Sequence, residues 1–233
     1  MTNTSNSAPS EIQLQTLAVC KSVPTPSGEL HILDDISFSV NAGESIAIVG
    51  TSGSGKSTLL GLLAGLDRPS SGSIFLEGQE LNRLNEDQLA TVRAARVGFI
   101  FQSFQLLPSL NALENVMLPL ELAGIRGARE QAQAIMTRVE LDQRLNHYPR
   151  QLSGGEQQRV AIARAFACQP AILFADEPTG NLDQETGATI IRLMFELNRE
   201  QGTTLVLVTH DSELADPCDR ILKLKAGRLL LES

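Results

Sequence analysis

The sequence has few of the basic residues that a nucleic-acid-binding surface needs. Lysine and arginine together number 19 against 27 aspartates and glutamates, which gives a formal net charge of −8. Binding to the phosphate backbone of DNA or RNA depends on a surplus of positive charge, usually gathered on one face. This balance argues against a protein that acts on DNA or on ribosomes, and no nucleic-acid partner is expected.

Cysteine is also scarce. The three cysteines, Cys20, Cys168 and Cys218, are widely separated and form no C-x-x-C pair. Disulfide frameworks and structural zinc sites are recognised by cysteines at short, regular spacings. We therefore expect neither, and we expect the thiols to be reduced, as in a cytosolic protein.

Long apolar runs are missing as well. The densest run, Leu59 to Leu66, is interrupted by Gly61 and Gly65, and a membrane-spanning helix needs about 20 apolar residues. If the process involves a membrane, another chain must span it. Met1 to Ser10 is polar and uncharged, so we expect a loose tail there rather than a secretory signal.

The sequence does contain an alternation of strand-like and helix-like segments. Its 233 residues, of which 42% are hydrophobic, suit one large domain or one domain with an inserted subdomain. Short apolar runs typical of buried parallel strands alternate with helical periodicity, which predicts an α/β fold with a mainly parallel sheet. The predicted strands include Ser45–Val49, Ala171–Ala175 and Thr204–Val208, and the predicted helices include Lys56–Leu66 and Glu185–Glu200.

A stretch of different character interrupts this alternation. From about Ser103 the sequence predicts a helix capped by Asn111, a second helix over Ala128–Val139, and a third over Gly155–Ala167. We therefore predict one domain over residues 11–233, with a helical subdomain inserted at about 103–165.

The segment Gly50-Thr51-Ser52-Gly53-Ser54-Gly55-Lys56-Ser57-Thr58 matches the phosphate-binding pattern G-x-x-x-x-G-K-[ST]. It lies between a predicted strand and a predicted helix, which is the context that the pattern requires. Its glycines let backbone N–H groups curl around phosphate oxygens, and the helix N-terminus adds its dipole. We expect Lys56 to reach the β and γ phosphates of a nucleotide and Ser57 to ligate Mg²⁺. The flanking elements disfavour the alternative, a glycine-rich turn with a chance lysine.

Two acidic residues follow a buried strand further along the chain. The apolar run Ile172–Ala175 leads directly into Asp176 and Glu177. Asp176 is placed to hold Mg²⁺, and Glu177 to polarise an attacking water as a general base. Two acids also occur simply where a strand meets solvent, but the phosphate-binding loop in the same chain favours the catalytic interpretation.

Polar residues end two other predicted strands. His210 follows the strand that begins at Thr204, and Gln102 follows Val97–Phe101. His210 can donate to a γ-phosphate or orient the water, and the amide of Gln102 can contact Mg²⁺ or the water. A single histidine or glutamine in such a place is often a bystander, so both assignments depend on the neighbouring motifs.

A second anion-binding turn precedes the helix at Gly155. Ser153, Gly154 and Gly155 offer main-chain N–H groups at a helix start. One nucleotide needs no second turn within one subunit. A head-to-tail dimer uses both turns, because each subunit presents Ser153 and Gly155 to the nucleotide of its partner.

Taken together, these segments resemble the ATPases of ABC transporters, and they occur in the order found in that family. Gly50–Thr58 resembles the Walker A motif, Gln102 the Q-loop, Leu152–Gln157 the signature, Ile172–Glu177 the Walker B strand with its catalytic glutamate, Asn181-Leu182-Asp183 the D-loop, and His210 the switch histidine. The resemblance implies a P-loop NTPase fold with a RecA-like core, a small antiparallel β subdomain and an inserted helical subdomain. It also implies ATP and Mg²⁺ as ligands, and a homodimer whose composite ATP sites include Asp183.

Finer features narrow the resemblance to one branch. Pro178–Asp183 has Gly-Asn where many importer ATPases have Ser-Ala, and Phe101–Pro108 and Ala112–Val116 fit the same branch. That branch contains lipoprotein-releasing, macrolide-export and cell-division ATPases. The resemblance implies a cytoplasmic ATPase, peripheral on the inner face of the cell membrane, that drives an integral membrane permease subunit. A soluble ABC ATPase that scaffolds an assembly process, as in iron–sulfur cluster biogenesis, is the alternative.

The segment Phe104 to Leu110 contains no charged residue and follows Gln102. Exposed apolar patches often mark partner sites, so we expect this segment to dock the permease. The alternative is that its apolar residues pack inside the helical subdomain.

The chain departs from the family in one respect. Many members carry an aromatic residue that stacks on adenine, but no Trp, Tyr or Phe occurs between Met1 and Ile36. The resemblance aligns Val23 with that position. Two alternatives follow: selectivity for the base is loose, or Val23 supplies only apolar contact to it.

Overall fold

Among the residues that the structure describes, the larger of two sheets forms the centre. The computed structural model describes residues 11–26 and 28–230, so the predicted tail Met1–Ser10 lies outside the described residues. The six strands of this sheet are arranged in the order β10-β9-β3-β8-β7-β6, and neighbouring strands are parallel except for the β9–β10 hairpin. They are β3 (Ser45–Val49), β6 (Val97–Phe101), β7 (Ile172–Asp176), β8 (Thr204–Thr209), β9 (Arg220–Lys225) and β10 (Arg228–Leu230).

The register of this sheet brings several strand ends to one edge. Val49 lies opposite Thr209, and Asp176 lies opposite both Val208 and Phe101. Strands β3, β6, β7 and β8 therefore end nearly level. In open parallel sheets, ligands bind outside the carboxyl ends of the strands, and every predicted catalytic residue follows one of these ends.

A second, antiparallel sheet lies beside the first. Its strand order is β2-β1-β4-β5. The strands are β1 (Ile12–Thr25), β2 (Gly28–Asn41), β4 (Ser71–Leu76) and β5 (Gln79–Glu80). The sequence patterns indicated only parts of this sheet, near Ile36–Val40 and Ser70–Glu77.

Helices cover both faces of the larger sheet. They are α1 (Lys56–Leu63), α2 (Glu86–Arg96), α3 (Ala112–Leu122), α4 (Ala128–Arg138), α5 (Gly154–Phe166), α6 (Gln184–Gln201) and α7 (Ser212–Ala215). Helix α1 is shorter than the predicted Lys56–Leu66, because Gly65 has a left-handed φ of 65° just beyond Ala64, the C-cap. Helices α3, α4 and α5 pack against one another and lie between β6 and β7 in sequence.

Capping boxes fix where helices α3 and α5 begin. The Asn111 side chain accepts from the main-chain N–H of Glu114, and the Glu114 carboxylate accepts from the Asn111 N–H. Ser153 and Glu156 repeat the arrangement at the start of α5. Each box satisfies two backbone donors that a helix end would otherwise leave unpaired.

Two hydrophobic clusters fill the space on either side of the larger sheet. Successive residues of β7 belong to different clusters: Leu173 packs with α3, α5 and α6, whereas Phe174 packs with α1 and the antiparallel sheet. Side chains on a strand alternate between faces, so β7 is buried on both. Its carboxyl end is thereby held rigidly at the edge where Asp176 and Glu177 lie.

Candidate active site

The loop Gly50–Gly55 joins β3 to α1 and curls around the ammonium group of Lys56. Lys56 is only 6% exposed, and its Nζ donates to the carbonyl oxygens of Gly50 (2.8 Å) and Thr51 (3.1 Å). Gly55 has a φ of 102°, which L side chains rarely adopt. The loop therefore concentrates a positive charge and the N-terminus of α1 at one point, the arrangement that binds phosphate.

Asp176 lies at the end of β7 and faces the start of α1. Its Oδ1 accepts a hydrogen bond of 3.2 Å from the hydroxyl of Ser57. Burial raises the pKa of Asp176 above its ordinary value; the hydrogen bond from Ser57 lowers it, the charge of Glu177 raises it, and Lys56 lowers it. A hydroxyl and a carboxylate at this distance form an oxygen donor set of the type that Mg²⁺ prefers.

This donor set fits Mg²⁺ better than a metal held wholly by protein. Among the described residues, no group of three or more His, Cys, Asp or Glu side chains is placed to hold a metal ion. Mg²⁺ typically uses one or two protein ligands, with substrate phosphates and waters supplying the rest. Ser57 and Asp176 beside the loop meet that requirement.

Glu177 and His210 form a second pair at the same edge. The Nδ1 of His210 lies 3.1 Å from the Oε1 of Glu177. Glu177 has a positive φ of 44°, and its main-chain N–H donates to the carbonyl of Val208 on β8. A non-glycine residue in this region is strained by about 1–3 kcal/mol, and such strain is concentrated at functional sites. The strained turn presents the Glu177 carboxylate to a cavity beside the phosphate-binding loop.

These residues line two adjoining cavities. The first, of about 460 Å³, lies beside the phosphate-binding loop. The second, of about 670 Å³, shares Ser52 and Glu177 with the first and is also lined by His210. The described residues that line the first are Ile32, Ser52, Gly53, Gly55, Lys56, Ser57, Thr58, Gln102, Asp176 and Glu177.

Gln102 follows β6, the neighbour of β7, and lines the first cavity with Ser57 and Asp176. Its main-chain carbonyl accepts a hydrogen bond of 2.9 Å from the side-chain amide of Asn181. The predicted phosphate-binding loop, the two acids and Gln102 are therefore all assembled at one place. This follows from the level ends of parallel strands.

The turn Ser153–Gly155 lies elsewhere in the subunit. None of its residues is among the described residues that line the two cavities. The turn packs against the start of α6: a Cβ on Gly155 would lie 2.7 Å from Cγ2 of Thr186, and one on Gly154 would lie 3.2 Å from Cδ2 of Leu182. Within one subunit, this turn, which the sequence predicts to bind an anion, does not line the cavities beside the phosphate-binding loop.

Asp183 is likewise not among the described residues that line the two cavities. It caps α6: its Oδ1 accepts from the main-chain N–H of Thr186 at 3.0 Å. That backbone hydrogen bond holds the pKa of Asp183 below its usual range.

The structure places a residue at the cavity that the sequence patterns missed. Val23 pairs with Leu30 in the β1–β2 hairpin and is not among the described lining residues of the two cavities. Ile32, further along β2, lines the first cavity beside Gly55. No local pattern distinguishes Ile32 from other strand residues, because its position depends on how the hairpin meets the loop.

Comparison with known proteins identifies the family. The sequence profile of the family described as ABC transporter matches residues 33–180. The chain belongs to the ABC transporter family. It is 55% identical over 227 residues to the uncharacterized ABC transporter ATP-binding protein YbbA of Escherichia coli (strain K12), with 97% of this chain and 100% of that protein covered.

Other relatives of this ABC transporter ATPase are also ATP-binding proteins. The lipoprotein-releasing system ATP-binding protein LolD of Idiomarina loihiensis is 50% identical, with 93% of this chain and 96% of LolD covered. The solved structure of the ATP-binding cassette MJ0796, in a dimeric post-hydrolysis state bound to ADP and Pi, superposes with a TM-score of 0.87 at 41% identity; 94% of this chain and 97% of that chain are covered. The predicted P-loop NTPase fold and the ATPase activity are thereby confirmed.

The part of this ABC ATPase that the structure describes contains no helix with the length and apolar character needed to cross a bilayer.

Proposed function

We propose that the protein is the ATP-hydrolysing subunit of a membrane complex of the lipoprotein-release or macrolide-export type. It works as a homodimer on an integral membrane permease, at the cytoplasmic face of the cell membrane. The observation that carries the proposal is the assembly of Lys56, Ser57, Asp176 and Glu177 around one cavity. Two relatives support this type of permease as the partner. They are LolD, from lipoprotein-releasing systems, and the macrolide export protein MacB of Syntrophobacter fumaroxidans, which is 47% identical over 209 residues.

In the proposed reaction, the loop binds the phosphates of ATP and Glu177 acts as general base. The groups proposed to bind the phosphates are Gly50, Thr51, Ser52, Gly53, Ser54, Gly55, Lys56, Ser57 and Thr58. Ser57, Gln102 and Asp176 would hold Mg²⁺, which when bound neutralises charge on the phosphoryl oxygens. Glu177 takes the proton of the attacking water, and His210, within hydrogen-bond distance of Glu177, orients that carboxylate.

Dimerisation accounts for the groups that lie outside the subunit's own cavities. Ser153, Gly154, Gly155 and Asp183 would contact the nucleotide held by the second subunit. The turn does not line either cavity as the described residues define them, which supports this arrangement, because a second phosphate-binding turn has no use within one subunit. The dimeric structure of the MJ0796 relative also supports it.

The permease would dock on the loop that follows Gln102. Within this loop Leu106 packs against the core, whereas Leu107 is 43% exposed. Asn115 is fully buried, and its side chain holds the loop through hydrogen bonds. Its Oδ1 accepts from the Leu107 N–H, and its Nδ2 donates to the carbonyls of Leu107, Leu110 and Asn111. A loop held in this way presents Leu107 at low entropic cost to a partner. The docking surface is therefore centred on Leu107 rather than spread over the whole segment.

Substituting Leu107→Glu should abolish recruitment to membranes and leave folding and basal ATPase unchanged. A carboxylate at an apolar docking surface must be desolvated without a partner. Burying such an unpaired charge costs about 2–5 kcal/mol. The measurement is co-sedimentation of the purified protein with membranes of the source organism from which peripheral proteins have been stripped.

Leu122→Glu is the matched control, because Leu122 is 78% exposed at the end of α3. It should bind the membranes as the unaltered protein does. Normal recruitment of Leu107→Glu would remove Leu107 from the docking surface. If the unaltered protein itself stays in the supernatant, a soluble assembly scaffold becomes the better description.

Introducing a ring with Val23→Tyr should tighten binding of both ATP and GTP. Stacking on a base is worth about 1–3 kcal/mol, and we expect less than this, because Val23 lies on the hairpin rather than among the described residues of the cavity wall. Calorimetric titration with each nucleotide measures the effect. Leu17→Tyr, at an exposed position on β1, is the control. Unchanged affinity for both nucleotides would show that the base lies away from Val23.

A further inference from the structure

The turn between Glu177 and α6 contacts Gln102 in two ways. It is closed by hydrogen bonds from the Gly180 N–H to the Glu177 carbonyl (3.0 Å) and from the Leu182 N–H to the Thr179 carbonyl (3.0 Å). Asn181, at its tip, donates to the main-chain carbonyl of Gln102, 79 residues away in sequence. The turn after β7 is therefore tied directly to the end of β6.

The second contact involves the side chain of Gln102. A Cβ built on Gly180 would lie 2.6 Å from Nε2, 3.1 Å from Cδ and 3.2 Å from Cγ of Gln102. Real Cβ atoms essentially never approach another atom as closely as 2.6 Å. The Gln102 side chain thus lies across the face of Gly180 where any other residue would carry its Cβ.

The main-chain conformation of Gly180 does not itself require glycine. Gly180 is absent from the described residues that have a positive φ, so alanine can adopt the same main-chain conformation. What alanine would change is the space beside Gln102. The atoms in its way belong to the outer part of a flexible side chain, so the fold can accommodate alanine easily, but only if Gln102 moves.

We propose that Gly180 and Asn181 are positioning residues for Gln102. Asn181 holds its main chain, and the missing side chain of Gly180 gives its amide room to lie over the turn and face the cavity that Ser57 and Asp176 line. This inference rests on the proposed role of Gln102 at the Mg²⁺ and the attacking water. It adds that any movement of the turn 178–183 is transmitted to Gln102.

The test is a double-mutant cycle on ATP hydrolysis by the full chain. Gly180→Ala should lower kcat about 10- to 100-fold, the scale expected when a group at the reaction centre is displaced by about 1 Å. The KM for MgATP should change less than about twofold, because the phosphate-binding loop is untouched. Gln102→Ala should lower kcat to a similar extent, and adding Gly180→Ala to Gln102→Ala should cause no further loss, since the residue that it displaces is no longer there.

Asn181→Ala provides a second, independent variant at an exposed position. It should lower kcat in the unaltered chain and have no effect in the Gln102→Ala background. Gly187→Ala in α6 is the matched glycine control, since its Cβ would meet Thr179 only at an ordinary 3.4 Å. Thermal midpoints of all variants separate positioning from loss of fold, and we expect Gly180→Ala to unfold within a few degrees of the unaltered chain.

The possible failures differ from one another. Normal kcat in Gln102→Ala would refute the proposed role of Gln102 and this inference with it. A normal kcat in Gly180→Ala, or a full additional loss when it is combined with an impaired Gln102→Ala, would refute the positioning role alone. A drop in thermal midpoint that accounts for the loss of activity would do the same.

Discussion

Glu177→Gln should lower ATP turnover by about 10²- to 10⁴-fold, the contribution typical of a positioned general base, while ATP binding is retained. The carboxylate lies at the end of β7, held by the strained main chain of Glu177 and its hydrogen bond to Val208. Glutamine has nearly the same shape and can still face His210. It cannot accept a proton from water at neutral pH, so the chemical step alone is impaired.

The ATPase rate and sedimentation of the same sample measure this prediction together. Because closure of the dimer precedes hydrolysis in the proposed function, Glu177→Gln should accumulate as an ATP-bound dimer. Glu196→Gln serves as the control, since Glu196 lies on α6 and faces solvent. Turnover near that of the unaltered chain would exclude Glu177 as the base.

The candidate site was predictable where its signals are local. A buried parallel strand is a short apolar run, and β7 and β8 are apolar because both of their faces are covered. Level strand ends then bring the residues after them together. For this reason Asp176, Glu177 and His210 could be placed near the phosphate-binding loop without knowledge of long-range contacts.

The antiparallel sheet was harder to predict from sequence. Strands β1 and β2 each span 14 residues, yet only Ile36–Val40 shows clear alternation. The pairing of β1 with β2 shifts register at several points, among them between Thr16 and Val19. Each shift re-aims the following side chains, so the apolar pattern that identifies a strand is interrupted even though the strand continues.

Individual side-chain contacts away from the strand ends could not be predicted. Asn111 caps α3 as its sequence pattern predicts, but Asn115 in the same helix is fully buried and bonds the loop around Leu107. The pattern of an amphipathic helix places an asparagine at the surface. Only the path of the loop explains why a buried amide is satisfied here. The position of Ile32 at the cavity and the contact of Gly180 with Gln102 likewise depend on how separate segments meet.

Gly50→Ala should abolish ATP binding, although Gly50 needs no left-handed backbone. A Cβ there would lie 2.3 Å from the carbonyl oxygen of Leu224 and 2.8 Å from Oγ of Ser54. The carbonyl oxygen of Leu224 belongs to the main chain of β9, which pairs with β3. It therefore cannot move away as the end of a long side chain can. Either the loop or the strand pairing must shift, and the carbonyl of Gly50 that accepts from Lys56 shifts with it.

We expect ATP turnover of Gly50→Ala to fall by about 10²-fold or more, because a displacement of about 1 Å at a reaction centre has that effect, and calorimetry should detect no ATP binding. Gly61→Ala is the matched control: it lies in α1, nothing lies within 4 Å of its added Cβ, and alanine is favoured over glycine in a helix by about 1 kcal/mol. That variant should bind ATP normally and unfold at a slightly higher temperature. ATP affinity of Gly50→Ala equal to that of Gly61→Ala would mean that the loop tolerates displacement, and the close approach of Gly50 to Leu224 would then have no part in holding the phosphates.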